Sequence, residues 1–166
     1  MRQLLLSICM CLLLGCASVF AQTVGYTHKA LAAEGCSLEF SVSRLDSAYF
    51  IIATVKSDRL TFLNEPVMML RTFNDDVLKI TGFNLGNGAT SSGGYVVNNV
   101  VIKSTEIRSI AQFPVTPEQF EMIKSGVAKI RLTTAPRGHE KSFKKDKIGE
   151  KLYKFYVEAR DKDDTF

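Results

Sequence analysis

The chain has no tryptophan and, in 166 residues, only two histidines, four prolines and four cysteines. Three of those cysteines, Cys9, Cys11 and Cys16, crowd near the start. Each shortage excludes some chemistry. A zinc enzyme needs several His, Cys or carboxylate ligands at short spacing, and neither His28 nor His139 has such neighbours along the chain. The expectation is therefore no metal site, no cofactor and no catalytic residue. There is no Gly-x-Ser-x-Gly elbow. The Gly-rich run from Gly86 to Gly94 leads into Tyr95-Val96-Val97 rather than into a helix carrying Lys and Ser or Thr, so it reads as a flexible loop and not as a phosphate cradle.

Cys36 and His139 form the one pair that could meet as nucleophile and base. Cys36, however, opens an alternating strand and His139 sits in a Pro-Arg-Gly-His turn, which predicts a half-buried thiol and a solvated imidazole. Asp75-Asp76 lies in a turn, where hydrogen bonds to backbone account for both carboxylates.

The excess of positive charge is also small. A net charge of +4 and a pI near 8.9 are too low for a general nucleic-acid binder, so no nucleic acid is expected. The excess is concentrated: Arg137 to Lys154 holds seven Lys or Arg against Glu140, Asp146 and Glu150.

What the chain does have, at its start, is an export pattern. Met1-Arg2-Gln3 supplies a positive n-region, Leu4 to Leu14 an apolar h-region, and Val19-Phe20-Ala21 the small residues of a cleavage site. Residues 1–21 thus read as a signal peptide, and the product as periplasmic or extracellular. The apolar run is broken by Ser7, Gly15 and Ser18 and falls short of the roughly 20 residues of a spanning helix. Leu13-Leu14-Gly15-Cys16 offers an alternative, a lipoprotein anchored through Cys16, although Leu14 is bulky for such a box and the residues after Cys16 stay apolar. Cleavage after Ala21 leaves roughly 145 residues, enough for one core, and Cys36 alone among the cysteines, which excludes an internal disulfide.

Residues 22–35 are small and mixed and read as a leader segment before a single domain over 36–166. Within that domain Leu38, Phe40 and Val42 alternate with polar residues as a strand with one dry face does, and Tyr49 to Val55, apolar on both faces, suits a central strand. Val67–Phe73 and Val77–Phe83 flank Asn74-Asp75-Asp76 as a hairpin, and Asn98-Asn99 separates a second pair of β-forming runs. Thr116, Pro117 and Gln119 mark a helix start over Pro117 to Ser125, with Val115 and Phe120 at staple positions and Gly126 past its end. A longer helix is expected from Asp146 to Arg160 on an apolar stripe of Ile148, Leu152, Phe155 and Ala159. Lys144, Lys147, Lys151 and Lys154 would then form a basic stripe beside it, a surface for an anionic envelope component or an acidic protein.

Val55 to Phe62, Phe113 to Phe120 with Lys129 to Thr134, and Lys145 to Gly149 resemble segments of small, uncharacterised secreted proteins of Bacteroidales-type bacteria. The resemblance implies a cell-envelope setting and an antiparallel sheet with a helix on either side of the Lys129 strand. It brings no catalytic residues. The resulting expectation is an α+β domain of antiparallel sheets with two helices packed on them; an all-β sandwich with peripheral helices is the alternative. Its function is read as a non-catalytic binding or cell-envelope structural module, before a small hydrolase or transferase and, third, a lipid-carrying protein.

Overall fold

The computed structural model describes residues 22–29, 35–97 and 100–162. The expected signal peptide and the lipoprotein cysteine lie outside the described residues. Where the sequence alternates, strands form. Five of them, β1 (Val24–Lys29), β2 (Gly35–Leu45), β3 (Ala48–Ser57), β7 (Phe83–Val97) and β8 (Val100–Val115), make an antiparallel sheet in the order β1-β2-β3-β8-β7. A second sheet, β11-β9-β5-β6, is built from β5 (Val67–Thr72), β6 (Val77–Thr81), β9 (Val127–Leu132) and β11 (His139–Ser142). The short β4 (Thr61–Phe62) and β10 (Thr134–Ala135) pair as a link. Helices α1 (Pro117–Ile123) and α2 (Gly149–Asp161) complete an α+β fold.

Both sheets turn their alternate residues to one shared core. Leu38 and Phe40 of β2, Ile51, Ala53 and Val55 of β3, and Ala111 and Phe113 of β8 face Met68 and Leu70 of β5, Ile130 and Leu132 of β9, and Ile80 of β6 in a single buried cluster. As expected of a central strand, β3 is flanked on both sides, by β2 and β8. Polar groups inside this core are paired. Ser109 Oγ accepts the Phe62 N–H at 2.8 Å and donates to Asn87 Oδ1, which ties β4 to the large sheet.

The β5–β6 hairpin closes as its turn residues dictate. Thr72 Oγ1 accepts the N–H groups of Asn74 and Asp76, and Asp75 takes a positive φ of 69°. The helix after Thr116 carries the full capping box: Thr116 Oγ1 accepts the Gln119 N–H at 3.3 Å, and Gln119 Oε1 accepts the Thr116 N–H at 2.9 Å. Gly126, at φ 86°, makes the turn into β9.

Three expectations need correction. First, the leader segment contains a strand: β1 pairs with β2 from Val24↔Phe40 to Lys29↔Gly35. Second, Gly86 to Gly94 is not a loop but part of β7, paired to β8 with register shifts between Asn84 and Gly86 and between Ala89 and Ser91. The Val100–Glu106 run offers it a ladder, and bulges absorb its irregularity. Because β3 reaches only to Ile107 along β8, the two-stranded ribbon from Val100 to Glu106 runs about 23 Å past β3's end at ~3.3 Å per residue. Third, α2 starts at Gly149, not Asp146. Asp146 is instead its cap, accepting N–H groups from Gly149 at 2.9 Å, Glu150 at 2.8 Å, Ile148 at 3.3 Å and, across the fold, Val127 at 2.9 Å. Burial pushes the Asp146 carboxyl up, but these donors outweigh it and hold it below the usual carboxylate range. Gly149 is required there because a Cβ would stand 2.7 Å from Val127 N and 2.8 Å from Gly126 Cα.

The buried face of α2 is Gly149, Leu152 and Tyr156, with Phe155 and Ala159 only partly covered. Tyr156 stacks on Phe120 of α1 at 4.4 Å and 6°, and Tyr49 of β3 meets both rings edge-on. Replacing Thr116 by Ala removes one cap bond and should cost about 1 kcal/mol, whereas Phe120→Ala, at 0 % exposure, should cost roughly 3 kcal/mol or more. Urea midpoints of the two variants check the ranking; equal, negligible shifts would contradict the docking of α1.

Candidate functional site

The edge strands of the two sheets meet at a seam. From β1, the alternation of Val24, Tyr26 and His28 places the last two on the face that looks toward β11. From β2, Cys36 stands directly opposite His28 in the antiparallel register. From β11, His139 enters between them. Its Nε2 lies 3.0 Å from the Tyr26 hydroxyl and its Nδ1 3.7 Å from Cys36 Sγ, while its ring meets His28 edge-on at 5.4 Å between centroids. Tyr26 is fixed in turn by Phe143, edge-on at 5.1 Å, and by Phe40. A depression of about 300 Å³ opens over the cluster, lined by His28, Cys36, Leu60, His139 and the Arg137–Glu140 turn.

The solvated imidazole and half-buried thiol expected from sequence are thus overturned: His139 is 5 % exposed and Cys36 2 %. Burial, then the neighbouring His28 and Lys141, lower the His139 pKa to about 4. Burial, then the charge of Asp58, push the Cys36 thiol up. Burial, then the charge of Cys36, raise the Tyr26 phenol as well. At neutral pH the cluster is an uncharged Tyr–His–Cys chain, not a thiolate beside an imidazolium. Its one unsatisfied atom is His28 Nδ1, a buried nitrogen without a hydrogen-bond partner. Along the chain His28 stands only as a histidine without ligand neighbours and Tyr26 carries no motif; the Val24-Tyr26-His28 alternation is the signal that places them together.

The four lysines are all exposed, but they do not lie on one helix face. Lys144 and Lys147 belong to the segment before α2, and only Lys151 and Lys154 to the helix. Lys154 faces Glu158 at 3.8 Å. A second basic surface, not foreseen, lies on the outer face of the small sheet, where Arg71, Lys79, Lys129 and Arg131 stand on neighbouring strands. Glu140 pairs with Lys129 at 2.6 Å and Arg131 at 2.5 Å, and these partners hold its carboxyl below the usual range.

The chain matches no known protein family, no curated protein and no solved structure.

The depressed pKa of His139 has a definite consequence for stability. An unfolded histidine takes its proton near pH 6.5, the folded one only near 4, so stability contributed by the neutral ring is full above about 6.5 and is lost as pH falls toward 4. Following the imidazole resonances by NMR should show His139 neutral down to about pH 4. His139→Gln should flatten the pH dependence of the unfolding midpoint between those limits; an imidazole titrating at or above 6.5 would contradict the burial argument.

Proposed function

We propose that the chain is an exported, non-catalytic binding or structural module of a bacterial cell envelope, soluble after removal of residues 1–21, in the manner its resemblance to small secreted Bacteroidales-type proteins implies. Export rests on the n-region, h-region and Val19-Phe20-Ala21 pattern. Among the described residues, no helix is long and apolar enough to cross a membrane. The observation that carries the binding reading is the pairing of a contiguous, filled core with the exposed lysines before and on α2. Phe40, Phe113 and Phe120, all buried to 1 % exposure or less, occupy the space between the layers, where a lipid carrier would need a dry cavity. Lys144, Lys147 and Lys151 offer their charge to an anionic envelope component, with Lys154 beside them facing Glu158 at 3.8 Å, whereas on the small-sheet face Arg71 pairs with Asp75, and Lys129 and Arg131 pair with Glu140.

A small hydrolase or transferase is the second reading, favoured by the Cys36–His139 contact. Such chemistry needs a thiolate and a base near neutrality, and burial drives both groups the other way. The His139 titration separates the two: an imidazole charged at neutral pH would favour the enzyme.

The binding reading is tested by sedimentation with anionic and neutral vesicles. The mature protein should pellet with anionic vesicles at low ionic strength, less at physiological salt, and not with neutral ones. Changing Lys147, Lys151 and Lys154 together to Gln should weaken pelleting with little effect on the unfolding midpoint. A wild type that stays in the supernatant with anionic vesicles at low salt would overturn the proposed lipid-facing surface.

A further inference from the structure

We propose that two copies of the chain associate through the open edge of β7, with Ser91–Val97 of one copy paired antiparallel to Ser91–Val97 of the other about a twofold axis at Gly94. The inference starts from a ribbon without lateral support. β3 pairs with β8 only as far as Ile107. Beyond that point β7 and β8 continue together, from Ser91↔Glu106 to Val97↔Val100, and among the described residues no third strand is paired to either side. A two-stranded ribbon standing alone is marginal in water, and further strands are needed to hold it. This one carries Tyr95-Val96-Val97 and Val100-Val101-Ile102, residues of high strand propensity and large apolar area. A free edge of that composition is a template for another strand.

Charge decides which of the two edges is available. Edges kept from pairing carry lysine, other charges or proline. The β8 side has Lys103 and Glu106 within Val100–Glu106, whereas β7 has no charged residue and no proline from Phe83 to Val97. The start of β7 is occupied or irregular. The N–H groups of Gly82 and Asn84 donate to the carbonyls of Pro66 and Asn64, and the register shifts between Asn84 and Gly86 and again between Ala89 and Ser91. From Ser91 to Val97 the ladder is unbroken, which is the length of an ordinary strand.

The occupant is a second copy because this edge complements itself. Alternate residues of a strand turn their backbone groups to opposite neighbours, so two edges bond only where outward groups meet outward groups. Pairing about Gly94 satisfies this throughout: Gly94 faces Gly94, Ser92 faces Val96 and Ser91 faces Val97, each residue meeting one an even number of places away. It also sets small against large. Ser91, Ser92 and Gly93 come opposite Val97, Val96 and Tyr95, and no like charges meet.

The contact uses the same edge on both copies, so it closes at two and gives a four-stranded ribbon in the order β8-β7-β7-β8 rather than a growing fibre. The paired strip is about 23 Å long, shorter than a standard interface, which makes the association weak and concentration dependent. It rests neither on export nor on the lysines before and on α2.

The test uses residues 22–166, in which Cys36, 2 % exposed, is the only cysteine. Sedimentation velocity over the micromolar range should show a monomer–dimer equilibrium, and the amides of Ser92 to Val96 should gain hydrogen-exchange protection as the dimer forms. Gly94→Cys should cross-link to a dimer under mild oxidation, because Cα atoms opposite each other in an antiparallel pair are about 5 Å apart, within disulfide reach. Ser92→Cys should not, since Ser92 and its copy are offset by four residues, about 13 Å along the strands. Gly94→Glu places a carboxylate opposite Lys103 of its own ribbon, where the charges attract, and opposite the same carboxylate of the other copy, where they repel. It should weaken the dimer by about tenfold or more with little change in the unfolding midpoint. A monomer at every concentration would overturn the proposal. So would a polymer that grows past two, or a dimer that Gly94→Glu leaves intact and that Ser92→Cys cross-links as fast as Gly94→Cys.

Discussion

Each of the two sheets has one apolar face, and neither can stay exposed to water. Burial of these faces against each other is the constraint on which everything else depends. It requires Leu38, Phe40, Ile51, Val55 and Phe113 on one side and Met68, Leu70, Ile130 and Leu132 on the other to point inward, and it leaves two open ends. One end is closed by the helices. Phe120 and Tyr156 stack and Tyr49 seals them, while Asp146 fastens the start of α2 to the start of β9 through four backbone donors. The other end is the seam between β1, β2 and β11, where the side chains are Tyr26, His28, Cys36 and His139 rather than leucines.

That choice of residues has an energetic meaning. A buried imidazole costs free energy unless both nitrogens find partners, and His139 finds them in Tyr26 and Cys36. The cost avoided at His139 reappears at His28, whose Nδ1 is left unpaired. An apolar seam of similar volume would have no such orphan, so this polar arrangement is where stability has been given up. The low pKa of His139 and the raised pKa of Cys36 follow from the same burial, which keeps both groups uncharged.

Local signals in the sequence reached the structure intact where the interaction is local. Thr116, Pro117 and Gln119 specify their helix start within four residues, Asn74-Asp75-Asp76 closes its own hairpin, and Leu38 and Phe40 alternate in a strand long enough to show a period. Failures came where distant residues decide. Gly86 to Gly94 has loop composition, yet β8 recruits it as a strand. β1 is six residues long, with Gly25 pressed so close to the Leu38 carbonyl that a Cβ would stand 2.1 Å from it, and its period is too brief to separate from the segment before it. The α2 start moved because an Asp suits both a cap and a first turn and Asp146 is used as the former, and the buried stripe rotated to Tyr156 because Phe120 waits there to stack. Cys36 and His139 stand out as residue types, but nothing along the chain says that a strand pairing and a sheet seam put them in contact.

The central claim is that a single core holds both sheets, so that the seam cannot persist if either layer opens alone. Native-state hydrogen exchange measured against low urea concentrations tests it most directly, because amides whose exposure requires global opening converge on one free energy while those in separable units do not. The amides of Ile51 to Val55 in β3 and of Ile130 to Leu132 in β9 should converge on the same value, equal to the unfolding free energy from denaturation. Exchange of the β9 amides at a distinctly lower free energy, with β3 still protected, would show that the small sheet opens independently and would contradict the account.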